Sequence, residues 1–214
     1  ILMALFIDKK NKRVILTARK CGLITLSNSV TEVYQNKSEN RSLDAGNPDA
    51  HYIQGNVGPR AVPFDTTYWA DWDVTVVIRD PYERYLSGVR TLWTMAHWDN
   101  QSPVDTFNEW FEETYKRTGR IDLYNGHIAN WLESLEGIEY KTLEIVDTTE
   151  LCEWETRNGF LPVHTHKSKK DIKDRIRAHI EQHHITEVQN YLAPEEKRYR
   201  KWLTFPSKYR KISV

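Results

Sequence analysis

The chain has 214 residues, a length suited to one ordinary α/β domain that can bury a core without a metal or a disulfide. Its 30 basic and 30 acidic residues cancel, which argues against a broad nucleic-acid-binding surface and leaves room for local basic pockets. Two cysteines, Cys21 and Cys152, make no disulfide framework and match no zinc spacing, which favours a reducing, cytoplasmic setting.

In chain order, "ILMALFI" is far too short for a membrane span and reads as a first strand. If it were instead the stub of a removed anchor, the protein would be membrane-anchored or Golgi-lumenal. Residues 4–7 and 13–18 are apolar around Asp8–Lys12 and predict a hairpin. A short loop, Arg19 to Gly22, leads into a helical pattern of Leu23, Leu26, Val30 and Val33. Residues 36–71 are rich in Asn, Asp, Gly, Pro and Ser and read as mostly irregular.

The β-branched run Val74–Ile78 predicts a buried strand, and a helix follows from Pro81. Asp80 is its N-cap, with Glu83 as the expected reciprocal partner. Helical spacing puts Tyr82, Leu86, Val89, Trp93 and Ala96 on the core side. It puts Arg84, Ser87 and Thr91 on a polar pocket wall. Further helices are expected at 104–117, 122–136, 148–158 (closed by Gly159), 169–182 and from Pro194 to about Phe205. Another strand is expected at 138–146. Strands alternating with helices predict one three-layer α/β domain over 1–214, its largely parallel central sheet flanked by helices. The many Trp and Tyr residues are mostly accounted for by packing, with a weak hint of a sugar-binding platform.

Two segments carry chemistry. In "TARKCGLITL" a strand ends, and Lys20 and Gly22 sit in the turn before a helix. Glycine lets the backbone approach a ligand, free N–H groups and the helix dipole favour an anion, and Lys20 adds a full charge. The triphosphate pattern G-x-x-x-x-G-K-[ST] is absent, because here the lysine precedes the glycine. In "RDPYERYLSG" Arg79 precedes the cap, Arg84 follows on the helix, and Ser87 lies about two turns on. Arginine's planar fork suits phosphate. A solvated lysine and a capped, charged surface helix are the plainer readings of each segment taken singly.

Together these segments resemble the sulfotransferase family, which uses 3′-phosphoadenosine 5′-phosphosulfate (PAPS) as donor, and within it the carbohydrate-modifying branch. The resemblance implies a P-loop-like sulfotransferase fold. It implies that Arg19, Lys20, Cys21, Gly22, Leu23, Ile24 and Thr25 hold the 5′-phosphosulfate, and that Arg79, Arg84 and Ser87 hold the 3′-phosphate. Two hydroxyl positions of the family's first loop are Leu23 and Ile24 here, which leaves Thr25, Ser27 or backbone N–H groups to take over. "HTHKSKK" resembles a late basic loop, with Lys167 and Ser168 at the nucleotide.

What the resemblance implies is transfer of a sulfuryl group from PAPS to a hydroxyl or amine acceptor, with a carbohydrate hydroxyl preferred. Adenosine 3′,5′-bisphosphate is the product, and no metal is required. Lys20 is given the charge that builds on the leaving phosphate. His51 is the leading candidate for the base, ahead of Glu32, Asp44, Asp49 and Asp65, and His127 is a second residue for the acceptor side. His183 and His184 read as a solvated pair. Two alternatives stand: a sulfotransferase-like nucleotide-binding module without catalysis, and a phosphoryl-transfer enzyme on a similar scaffold.

Overall fold

The structure is a computed structural model and describes residues 3–8, 11–18, 20–22, 50–55, 69–96, 106–123, 140–160, 170–204 and 210–211. In chain order these give β1 (Met3–Asp8), β2 (Arg13–Ala18), β3 (Ala50–Gly55), β4 (Asp73–Ile78) and α1 (Pro81–Ala96). Then come α2 (Phe107–Thr118), β5 (Thr142–Asp147), α3 (Leu151–Arg157), α4 (Lys170–His183), α5 (Ile185–Leu203) and β6 (Arg210–Lys211). The described strands form one sheet in the order β3-β1-β2-β4-β5-β6.

The hairpin β1–β2 is antiparallel, as its sequence indicates. At its turn the Asp8 carboxylate accepts from the Asn11 backbone N–H at 3.0 Å and from its side-chain amide at 2.7 Å. Only the centre of the sheet is parallel: β2 pairs with β4 and β4 with β5. The outer pairings β1–β3 and β5–β6 are antiparallel. The protein is therefore α/β with a three-strand parallel centre, and the largely parallel sheet expected from sequence is narrower than the pattern suggested.

The central strands are apolar at nearly every position because both of their faces are covered. Val14, Leu16, Ala18, Val74, Val76, Ile78 and Ile145 pack toward Tyr199 and Trp202 of α5. The alternate residues Ile15, Val77 and Val146 pack with Leu151 and Trp154 of α3 and with Phe160. A third cluster lies among the helices: Tyr85, Leu86, Val89 and Trp93 of α1 meet Phe107 and Phe111 of α2, Ile176 and Ile180 of α4, and Val188 and Leu192 of α5. Trp69, Trp72, Trp93, Trp154 and Trp202 are all core residues, so packing accounts for them. Ala96, expected on the core side of α1, is exposed.

Three element readings are corrected. The stretch read as irregular contains β3, whose Ala50–Gly55 backbone pairs with β1. Pro194 does not begin a helix but lies inside α5, which starts at Ile185. Buried Val188, Leu192, Tyr199 and Trp202 carry the helix through the missing N–H, since tertiary packing rather than propensity supplies most helical stability. Asp122 and Leu123 form a turn, and the remainder of the helix expected at 122–136 lies outside the described residues. Among the described residues no helix is long and apolar enough to cross a membrane.

Candidate functional site

The three parallel strands end side by side, β2 at Ala18, β4 at Ile78 and β5 at Asp147. A crevice of about 810 Å³ opens at this carboxyl edge, the place where open α/β sheets hold ligands. Gly22 from the loop after β2, Arg79 and Asp80 from the loop after β4, Asp147 to Cys152 after β5, and Lys173 of α4 line it.

The loop after β2 folds back on itself. The Cys21 N–H donates to the Ala18 carbonyl at 3.1 Å, and the Thr17 hydroxyl donates to the Cys21 carbonyl at 2.8 Å. Lys20 and Gly22 both take left-handed backbone, with φ of 67° and 76°. Such a conformation is strained for lysine and free for glycine. A Cβ on Gly22 would come within 2.6 Å of Leu151 Cδ2, so the loop also lies flush against the start of α3. The Cys21 side chain is sealed in the sheet core, and burial pushes its thiol up to about 12. This residue therefore offers a ligand its backbone and no thiolate.

The loop after β4 reaches across to the first. Arg79 Nη1 donates to the Lys20 carbonyl at 2.9 Å, which joins the two sequence segments physically. Asp80 caps α1 by accepting from the Glu83 N–H at 2.9 Å, as expected. Glu83 does not return the bond. Its carboxylate instead pairs with Lys173 and Arg177 of α4, and Arg79 Nη2 stands 3.8 Å away. Partial burial pushes the Glu83 carboxyl upward, but the Lys173 hydrogen bond and these cations outweigh it and hold the group below its ordinary value.

The expected polar wall of α1 is corrected at Arg84. Its side chain is 2% exposed and its Nη2 lies 2.5 Å from Glu195 Oε2 of α5, so it ties two helices together inside the core. Ser87 is half-buried, and its carbonyl accepts from the Thr91 hydroxyl at 3.0 Å. Of the predicted donor-binding residues that are described, Gly22 and Arg79 line the crevice, and Lys20, Cys21, Arg84 and Ser87 do not. The crevice also carries Asp80 and Glu83, read from sequence only as a helix cap and its partner, and Asp147 and Glu150, which the sequence reading did not single out. Asp80 is used as a cap and Glu83 by α4. Asp147 accepts from the Tyr199 hydroxyl at 2.7 Å and from the Thr149 backbone and hydroxyl.

His51 is not brought to this edge. It pairs with Ile7 in β1, which pairs with Val14 in β2. That is the opposite end of β2 from the loops, about 13 Å along the strand from Ala18 at ~3.3 Å per residue. Arg19, Leu23, Ile24, Thr25, His127, Lys167 and Ser168 lie outside the described residues. The sequence reading missed Lys173 and Arg177, whose i, i+4 spacing on an amphipathic helix was the available signal. It also misjudged His184, which is buried rather than solvated.

No family model matches the chain, and neither a curated protein nor a solved structure is similar enough to match it.

Proposed function

We propose that the carboxyl-edge crevice binds PAPS and that the protein is a sulfotransferase acting on a hydroxyl or amine, with a carbohydrate hydroxyl preferred, on a P-loop-like scaffold. The observation that carries the reading is the hydrogen bond from Arg79 to the Lys20 carbonyl. It brings together the two segments that resemble the family's phosphate motifs. Support also comes from the position at the tips of adjacent parallel strands and from the left-handed turn at Lys20 and Gly22.

In this reading the Lys20 ammonium balances the negative charge that grows on the bridging oxygen as the donor's S–O bond breaks. The new S–O bond forms to the acceptor oxygen, whose proton leaves to a base. His51 is not assigned that role, given its place at the far end of the sheet. Arg79 contributes charge for the donor's 3′-phosphate and holds the first loop in place. Arg84 serves the helical core instead.

The test is retention on immobilised adenosine 3′,5′-bisphosphate, followed by sulfate transfer from labelled PAPS to a panel of sugars. Wild-type protein is retained, and Arg79→Ala is not. Arg79→Lys, which keeps the charge but loses the fork, is retained weakly. Retention undiminished in Arg79→Ala overturns the site. Retention without transfer to any acceptor selects the non-catalytic nucleotide-binding alternative, which the Leu23 and Ile24 substitutions favour.

A further inference from the structure

Away from the crevice, three helical segments bring ligand-type atoms to one point. Glu112 comes from the middle of α2, His179 from the last turns of α4, and His184 from the junction between α4 and α5. His179 Nε2 lies 2.8 Å and His184 Nε2 2.7 Å from the same oxygen, Glu112 Oε1. Both imidazoles are 7% exposed. His184 occupies the N-cap position of α5 yet makes no side-chain cap bond, because its ring turns to Glu112 instead.

We propose that Glu112, His179 and His184 form a binding site for a divalent transition ion of the zinc class. Two imidazoles and a carboxylate are the donor set that such ions accept, and an all-oxygen ion such as Mg²⁺ or Ca²⁺ is a poor match. The three ligand atoms already lie within 4.8 Å of one another. Ligand bonds near 2.1 Å set tetrahedral edges of about 3.4 Å, so each nitrogen–oxygen contact has to open by about 0.7 Å to admit the ion.

Nδ1 of His179 and Nδ1 of His184 are both buried with no hydrogen-bond partner among the described residues. Neither ring is therefore anchored in another network, and both turn their Nε2 to a single point. Aromatic walls hold them there: the Phe111 ring is 5.6 Å from His179 and 5.2 Å from His184, and Tyr115 is 5.0 Å from His184. Three protein ligands leave a fourth position for water or for His183, an exposed imidazole whose ring stands 5.0 Å from that of His179. A bound ion would clamp α2 to the turn between α4 and α5.

The experiment is calorimetric titration of chelator-treated full-length protein with ZnCl₂, together with the visible spectrum on adding Co²⁺. Wild type takes up one equivalent of zinc, its unfolding midpoint rises with zinc concentration, and cobalt gives a four-coordinate nitrogen–oxygen spectrum. Glu112→Gln and His184→Asn each weaken uptake at least tenfold. Glu112 is 48% exposed, so Glu112→Gln removes the ligand with the core intact and separates lost binding from lost folding. Absence of stoichiometric uptake by wild type overturns the proposal, as does unchanged affinity in both variants. A cobalt–thiolate absorption band overturns it too, because it would place the ion on Cys152.

Discussion

Arg84 of α1 and Glu195 of α5 form an ion pair at 2.5 Å in which neither side chain is more than 3% exposed. Burying each charge alone would be expensive, and each stays tolerable because the other is present. Burial pushes the Glu195 carboxyl up, while Arg84 pulls it back toward ionisation. Arg84→Ala is expected to cost about 3–5 kcal/mol, since it leaves an unpaired buried carboxylate. Arg84→Met combined with Glu195→Leu is expected to recover most of that loss. Urea unfolding of the two variants against wild type measures both effects, and a double variant as unstable as the single one would refute the account.

Glu83 links the loop after β4 to α4 through Lys173 and Arg177. Its folded-state carboxyl is held below the ordinary value, so the folded state favours the ionised form. The stabilisation is therefore fully present above the unfolded pKa of about 4.3 and is lost as pH falls through the lower folded value. Glu83→Gln should flatten that part of the acid-denaturation curve and lower stability at neutral pH. Unfolding midpoints measured from pH 7 down to pH 3 provide the comparison.

Gly22 combines a left-handed backbone with a close approach to Leu151. Gly22→Ala is expected to cost about 1–2 kcal/mol from the backbone alone, with a further cost for displacing Leu151. On the proposed function it also weakens retention on the bisphosphate resin. Thermal denaturation and column retention report the two consequences separately.

His51→Ala is expected to leave retention unchanged, because the strand register puts His51 level with Val14. Loss of retention in a folded His51→Ala protein would contradict the sheet register described above.

The periodic elements were legible because burial imposes its period on the sequence. The hairpin at β1–β2, strand β4 and helix α1 all announce themselves through apolar spacing and turn residues. The sequence offered two loop motifs, and the contact between Lys20 and Arg79 is known only from the structure. Elements set by distant partners were not legible. Strand β3 exists through pairing with β1, and nothing local in the polar stretch around it records that pairing. Arg84 has the spacing of a pocket residue, and only the arrival of Glu195 from a helix far along the chain turns it inward. His184 sits beside exposed His183 in sequence, and Phe111 and Tyr115 of α2 decide which of the two is buried.

Tyr199, near the end of α5, fastens its hydroxyl to Asp147 at the tip of β5, and Trp202 one turn later covers the sheet face. The last turns of this helix thus form the back wall of the crevice as well as a lid on the apolar sheet. Truncation before Tyr199 would breach that wall and wet the underside of the central strands in a single cut. A proteolytic nick within these turns would strike pocket and core together.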